Sequence, residues 1–322
     1  RLKAYKESLS AEEVEALVQA TEDLEAYQEE ESAPEDLAKI PVLRREDISR
    51  ETAPIYNTEM DADGVKMVHH NVETNGIGYA TLMFDLSGIA EDKLPYVGIL
   101  QSVLGIIDTT NYEYGALFNE INVHTGGIGT SLELYPDVTK VKEKEFRATF
   151  EMKGKALYPK MDVLFSMMRE ILMESKLDDE KRLKEIIAML RSRLQMSFLS
   201  SGHTMAALRA LSYTSPIAKF KDDTDGIGYY EVVKAIEEDF DGHKEEMIRN
   251  LKEISAKIFR ADNLMVSYTS AEQGLEPMLA AFGAVKDSLN DRCGTEASAG
   301  VQTGEGVQTG EGVHAGEGAR TG

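Results

Sequence analysis

The chain has 322 residues, 42% of them hydrophobic, which is enough to bury a sizeable core and excludes a disordered polypeptide. Thirty-five Lys and Arg against 57 Asp and Glu leave a net charge of -22, which excludes a nucleic-acid surface, since phosphate contacts need clustered cations, and favours cationic partners. One cysteine, Cys293, excludes an internal disulfide, and without an apolar run of about 18 residues or a signal-peptide core neither a membrane span nor export is expected. The expected compartment is the cytoplasm, or an organelle matrix in a eukaryote.

Ser10 to Glu13 is a capping box that predicts a helix through "AEEVEALVQATEDLEAYQEEE", with Val14, Leu17, Val18, Thr21 and Leu24 on one stripe and an acidic outer face. Pro34, Pro41 and Pro54 break the next stretch into an extended connector. A boundary near residue 56 follows. Beginning on Arg1 inside a helix, the chain reads as a piece of a longer one, with its amphipathic helix lacking an antiparallel mate.

In "KMVHHNVETNGIGYATLMFDLSGI" two alternating runs flank Asn75-Gly76, the pair that a tight hairpin with positive φ prefers, so two antiparallel strands are predicted. Ala80, Leu82, Phe84 and Leu86 form the core face of the second, so the sheet is covered on one side. "EDKLPYVGILQSVLGII" and "TNYEYGALFNEINVH" read as helices, the second opened by a Thr110 to Glu113 capping box. Two strands follow, with Ile128, Thr130, Leu132 and Leu134 sharing one face, and Phe146, Ala148, Phe150 and Met152 another. Helices then dominate from Tyr158 to about Phe259, most clearly over 179–199, where Leu183, Ile187, Leu190 and Leu194 repeat at helical spacing. "NLMVSYT" supplies a late strand and "AEQGLEPMLAAFGAVKDSL" a closing helix.

This order predicts an α+β fold, an antiparallel-rich sheet with helices packed on one face, preceded by a helical linker segment. The domains are residues 1–55, a helical hairpin remnant and connector; 56–290, the α+β domain; and 291–322, whose glycine-rich six-residue repeat from Val301 lacks the apolar groups to offset ordering and reads as a disordered tail.

No catalytic set assembles. His69 and His70 are adjacent on a strand, so they leave opposite faces and cannot close on one ion. His243 and Glu246 fit an H-x-x-E-H order, but Met247 stands where the second histidine ligand belongs. The glycines after His124 lack the strand, helix and lysine of a phosphate loop. Ser200, Ser201 and His203 lack a glycine-flanked nucleophile elbow, while Tyr229-Tyr230 and "FSMMREILM" sit at helical spacing and are core.

Taken in order, "SAPEDLAKIPVLRREDI", "TNGIGYATLMFDLSGIAEDKLPYVGILQSVLG" and "TTNYEYGALFNEINVHTGGIGTSLELYPD" resemble the insulinase-like (pitrilysin) zinc metallopeptidases, in their presequence-protease branch, over residues 1 to about 290. The resemblance implies two similar halves joined by a helical hairpin and closing around a peptide-digesting chamber. It places residues 1–55 in the hairpin and 56–290 in the first domain of the second half. Where the catalytic half carries its H-x-x-E-H helix, this chain reads Leu94-Pro95-Tyr96-Val97-Gly98. The expected catalytic, metal and cofactor residues are therefore none, and the zinc of the full-length enzyme would be bound by a first half that precedes this chain.

Two functions follow. One is a non-catalytic wall of a chamber-forming zinc metalloendopeptidase, inactive alone, whose partners are the catalytic half of the same chain and unfolded, basic peptides. The other is a binding or scaffold protein that keeps the fold without the chemistry.

Overall fold

The computed structural model describes residues 2–52, 54–140 and 145–299. The chain divides into two compact units, Arg1–Ile55 and Tyr56–Gly322. In the first, α1 (Leu2–Ser8) and α2 (Ala11–Glu29) are separated by Ser10, whose hydroxyl accepts from Glu13 N at 3.2 Å while Glu13 Oε2 accepts from Ser10 N at 2.8 Å. The capping box thus forms as its spacing demands. The stripe it starts buries nothing: Leu17, Val18 and Leu24 are each more than half exposed. The proline-broken stretch contains one turn of helix, α3 (Pro34–Leu37), and a short 3-10 turn at Arg45–Asp47.

The second unit is built on six strands: β1 (Thr58–Ala62), β2 (Val65–Asn71), β3 (Ile77–Asp85), β4 (Ile128–Pro136), β5 (Phe146–Leu157) and β6 (Leu264–Ser270). Their order across the sheet is β1-β2-β6-β3-β5-β4, antiparallel except for β2 with β6. The hairpin anticipated at Asn75-Gly76 does not form, because β6 lies between β2 and β3. Both residues have the positive φ anticipated, 53° and 82°, but they end a five-residue link rather than a two-residue loop. Crossing two strand spacings takes about 9.6 Å, well within the reach of five residues, roughly 17 Å. The two-residue hairpin is at Asp63-Gly64, with φ of 54° and 90°, and joins β2 to β1, a strand the sequence reading missed.

Helices α4 (Leu94–Val103), α5 (Tyr114–His124), α6 (Met161–Glu174), α7 (Glu180–Ser212), α8 (Pro216–Asp225), α9 (Ile227–Glu238), α10 (Phe240–Ile258) and α11 (Leu275–Ala299) complete the unit. α5 starts later than its anticipated capping box. Glu113 is the N-cap but makes no side-chain bond, and Asp108 Oδ1 accepts from Tyr114 N at 2.8 Å instead. The alternating face of Leu82, Phe84, Phe150, Met152 and Val266 is fully buried. Phe259, which follows α10, packs edge-on against both Phe84 and Phe150, at 5.1 and 5.2 Å between ring centres. The methionines of α6 join this core, with Met161 and Met168 almost wholly buried. α11 continues through Ala299, past the anticipated boundary at 291; the glycine-rich repeat from Val301 lies outside the described residues.

Candidate functional site

The register of β2 sets His69 and His70 on opposite faces. His69 is buried, its Nε2 lying 3.1 Å from Ser270 Oγ and 3.2 Å from Ser270 O, with its ring stacked on Tyr268. His70 faces the other way, bonded through Nδ1 to Asn57 Oδ1 at 2.6 Å and through Nε2 to Ser267 Oγ at 3.0 Å. Each ring is a link within the sheet. His243 Nδ1 bonds the carbonyl of Asp239 one turn earlier on α10, and Met247 beside it is buried in the core. His124 sits between Glu120 and Lys160 at the surface, and Ser201 marks a kink in α7 where φ is -134° and ψ is 33°. These groups are not brought together. Among the described residues, no group of three or more His, Cys, Asp or Glu is placed to hold a metal ion.

The segment Leu94-Pro95-Tyr96-Val97-Gly98 opens α4, and its first, fourth and fifth positions point inward. Leu94, Val97 and Gly98 are all buried. A Cβ added at Gly98 would meet Thr224 O at 2.5 Å and the Tyr229 ring at 2.9 Å. The face that carries ligands in an H-x-x-E-H helix is here the packing face against α8 and α9.

What faces solvent is the sheet itself. Its open side carries Lys66, Val68 and His70 of β2, Ser267 and Thr269 of β6, Tyr79, Thr81 and Asp85 of β3, and Arg147, Glu151 and Lys153 of β5. Toward β4 these side chains form a network. Glu151, almost wholly buried, accepts from Tyr135 Oη at 2.6 Å and from Thr149 Oγ1 at 2.9 Å, and pairs with Lys153 Nζ at 3.1 Å. Lys153 also donates to Glu133 Oε1 at 2.7 Å, and this bond holds the Glu133 carboxyl below its ordinary range. Burial opposes the charge of Lys153, but its bonds to Glu133 and Glu151 outweigh that and raise its pKa. Burial, then Glu151, push the Tyr135 hydroxyl upward. The network supplies polar contacts on this face of the sheet. Sequence reading missed it; the available signal was the alternation of Ser131, Glu133 and Tyr135 in one anticipated strand and of Thr149, Glu151 and Lys153 in the next.

Residues 1–236 match the family model described as peptidase M16 subfamily C associated. Protein HypA of Clostridium perfringens (strain 13 / Type A) is 32% identical over 276 residues, covering 86% of this chain and 28% of that protein. Presequence protease 1, chloroplastic/mitochondrial, of Arabidopsis thaliana is 27% identical over 275 residues, covering 85% of this chain and 25% of that protein. The chain thus spans about a quarter of the length of these curated relatives. Among solved structures, a conserved protein from Enterococcus faecalis V583 superposes with a TM-score of 0.52 at 10% identity, over 71% of this chain and 52% of that one, a likeness of fold.

Proposed function

The chain belongs to the family associated with subfamily C of peptidase M16, as a non-catalytic part of an insulinase-like peptidase, and from that premise we propose that it is one wall of a chambered zinc endopeptidase that degrades unfolded peptides. The observation that carries this reading is α4. At the place of the H-x-x-E-H helix, Leu94, Val97 and Gly98 are turned into the core, while the side of the sheet that a chamber would need is left open and polar. On this proposal no residue of the chain acts catalytically, zinc and its glutamate base are supplied by a catalytic half of the same polypeptide, and residues 56–290 enclose the substrate. Residues 1–55, with fifteen acidic and seven basic side chains, contribute to a negative field that favours encounter with basic peptides at low salt. The presequence proteases among its relatives carry mitochondrial or chloroplastic names; an organelle matrix or the cytoplasm suits the proposal equally. No helix among the described residues is long and apolar enough to cross a membrane.

The test is cleavage of an unfolded, fluorescently quenched peptide by three samples: this chain, the full-length protein, and the full-length protein lacking residues 56–290. Chelator-sensitive cleavage by the full-length protein alone is expected. Cleavage by the isolated chain, or undiminished cleavage without residues 56–290, overturns the proposal.

A further inference from the structure

β4 is an edge strand, and its hydrogen-bonding phase follows from its neighbours. Ala148 O accepts from Leu86 N at 2.9 Å on the β3 side of β5, while Lys155 O accepts from Gly126 N at 2.7 Å on the β4 side. Residues of β5 alternate accordingly, so Ala148, Phe150 and Met152 turn their backbone toward β3, and their partners on β4, Leu134, Leu132 and Thr130, turn theirs outward. The Thr130 carbonyl is satisfied there by a reciprocal pair with α4: Gln101 Nε2 donates to Thr130 O at 3.1 Å and Thr130 Oγ1 to Gln101 O at 2.9 Å. Beyond that bridge the amide and carbonyl groups of Leu132 and Leu134 face outward without a backbone partner among the described residues. Unpaired groups along a strand edge are a template for another strand.

A groove of about 410 Å³ runs beside these groups, lined by Leu132 and Leu134 on one side and by Arg193, Leu208, Phe220 and Lys221 on the other. The kink at Ser201 lets both halves of α7 contribute, Arg193 before it and Leu208 after it. Gln101, which holds Thr130 through that bridge, also lines the groove. Arg193 and Lys221 both line the groove, with Thr224 and Asp225 beside them. Both cations are exposed and neither forms an ion pair within 4.0 Å among the described residues. Asp225, the remaining charge lining the groove, offsets one of them. In a chain of net charge -22 the groove is lined by two cations and one carboxylate.

We propose that this groove is a peptide-binding subsite, in which the C-terminal end of an extended peptide pairs with β4 at Leu132 and Leu134 and sets its terminal carboxylate against Arg193 and Lys221. The peptide runs antiparallel to β4, so that its C-terminus lies toward Gln101. Two outward residues provide up to four backbone hydrogen bonds, and the guanidinium of Arg193 presents a fork matched to a carboxylate. A second copy of the sheet is a poorer occupant, because an identical edge brings identical walls from α7 and α8, whereas a lone strand is narrow enough to enter. The inference rests on the proposed function only in taking unfolded peptides as the ligand class.

The experiment uses this chain and a fluorescein-labelled ten-residue probe of alternating valine and threonine with two added N-terminal lysines. Fluorescence anisotropy should show saturable binding of the free acid, at least tenfold weaker binding of the C-terminal amide, and none of a probe N-methylated at alternate amides. Arg193→Glu with Lys221→Glu, both at exposed positions, should weaken the acid tenfold or more and leave the amide unchanged. Leu132→Pro, tolerated at an edge because its N–H lies outside the ladder, should abolish binding of both. Hydrogen exchange at the Leu132 and Leu134 amides should slow on adding the acid. Equal affinity for acid and amide, or for the N-methylated probe, overturns the proposal. So does protection of these two amides without probe in a sample that sediments as a dimer, which would make a second copy the occupant. Loss of probe binding with undiminished cleavage by the full-length protein leaves the proposed function standing, whereas probe binding without any cleavage by the full-length protein leaves the groove standing.

Discussion

Tyr135 donates its hydroxyl to Glu151 Oε1 at 2.6 Å across the outermost strand pair, so a half-exposed tyrosine secures a carboxylate that is itself almost wholly buried. Hydrogen bonds to a charged acceptor contribute about 1.5–3 kcal/mol, because the alternative is a desolvated charge with one partner fewer. Tyr135→Phe keeps the ring and removes only the donor. Urea unfolding at neutral pH should show a loss of about 1.5–2 kcal/mol, the lower part of that range, since Thr149 and Lys153 still serve Glu151. An unchanged midpoint would mean that water replaces the hydroxyl without cost.

Glu170 on α6 gives the acid limb of stability. It is buried and accepts from Asn111 N at 3.1 Å and from Asn111 Nδ2 at 2.9 Å, holding the turn before α5. Burial raises its pKa, but the bonds from Thr109 and Asn111 outweigh burial and the net shift is downward. A carboxyl whose folded pKa is depressed contributes stability that is fully present above its unfolded value, about 4.3, and lost as pH falls through its folded value. Glu170→Gln should therefore cost about 1–3 kcal/mol at pH 7, with the gap to the wild type closing as pH falls below about 4. Urea unfolding from pH 7 to pH 3 measures both; a gap that persists at pH 3 would assign the cost to packing.

Gly98 separates two opposing effects. Replacing glycine in a helix with alanine gains about 1 kcal/mol, whereas forcing a methyl group into a filled core costs about 1–3 kcal/mol. The added Cβ would meet a backbone oxygen at 2.5 Å, which cannot rotate away as a side chain can. Gly98→Ala should be destabilising by urea unfolding. The triple change Leu94→His, Val97→Glu and Gly98→His, which writes the hydrolase pattern into α4, should give insoluble or unfolded protein with no bound zinc by elemental analysis. A folded, zinc-loaded variant would show that the helix can turn its ligand face outward.

Much of this architecture was legible because it is locally encoded. Leu183, Ile187, Leu190 and Leu194 announce α7, and all are buried where their spacing placed them. The opposite faces of His69 and His70 follow from strand geometry alone. Pairing over long range was not legible. Asn75-Gly76 has the torsions of a hairpin turn, yet its strands are parted by a segment about 190 residues downstream, and alternation in β2 and β3 is the same whichever strand lies beside them. Asp63-Gly64 carried the true two-residue hairpin signal, but β1 reads "TEMDA", too polar to stand out as a strand. The edge groove was hidden for a related reason: Arg193, Lys221 and Leu132 come from three elements, and only the fold sets them side by side.

The place of β6 in the middle of the sheet bears on how the domain is made. β2 and β3 leave the ribosome before the helices α4 to α10, but the strand that fills the gap between them follows some 180 residues later. Until then two half-sheets expose inner edges, and Met67, Leu82 and Phe84 lack their β6 neighbours. Such distant pairing is slow because loop closure must precede any reward, and open edges in the meantime invite wrong partners. A nascent chain stopped before Leu264 is thus a candidate for chaperone capture, whereas one that has released Ser270 can close the sheet.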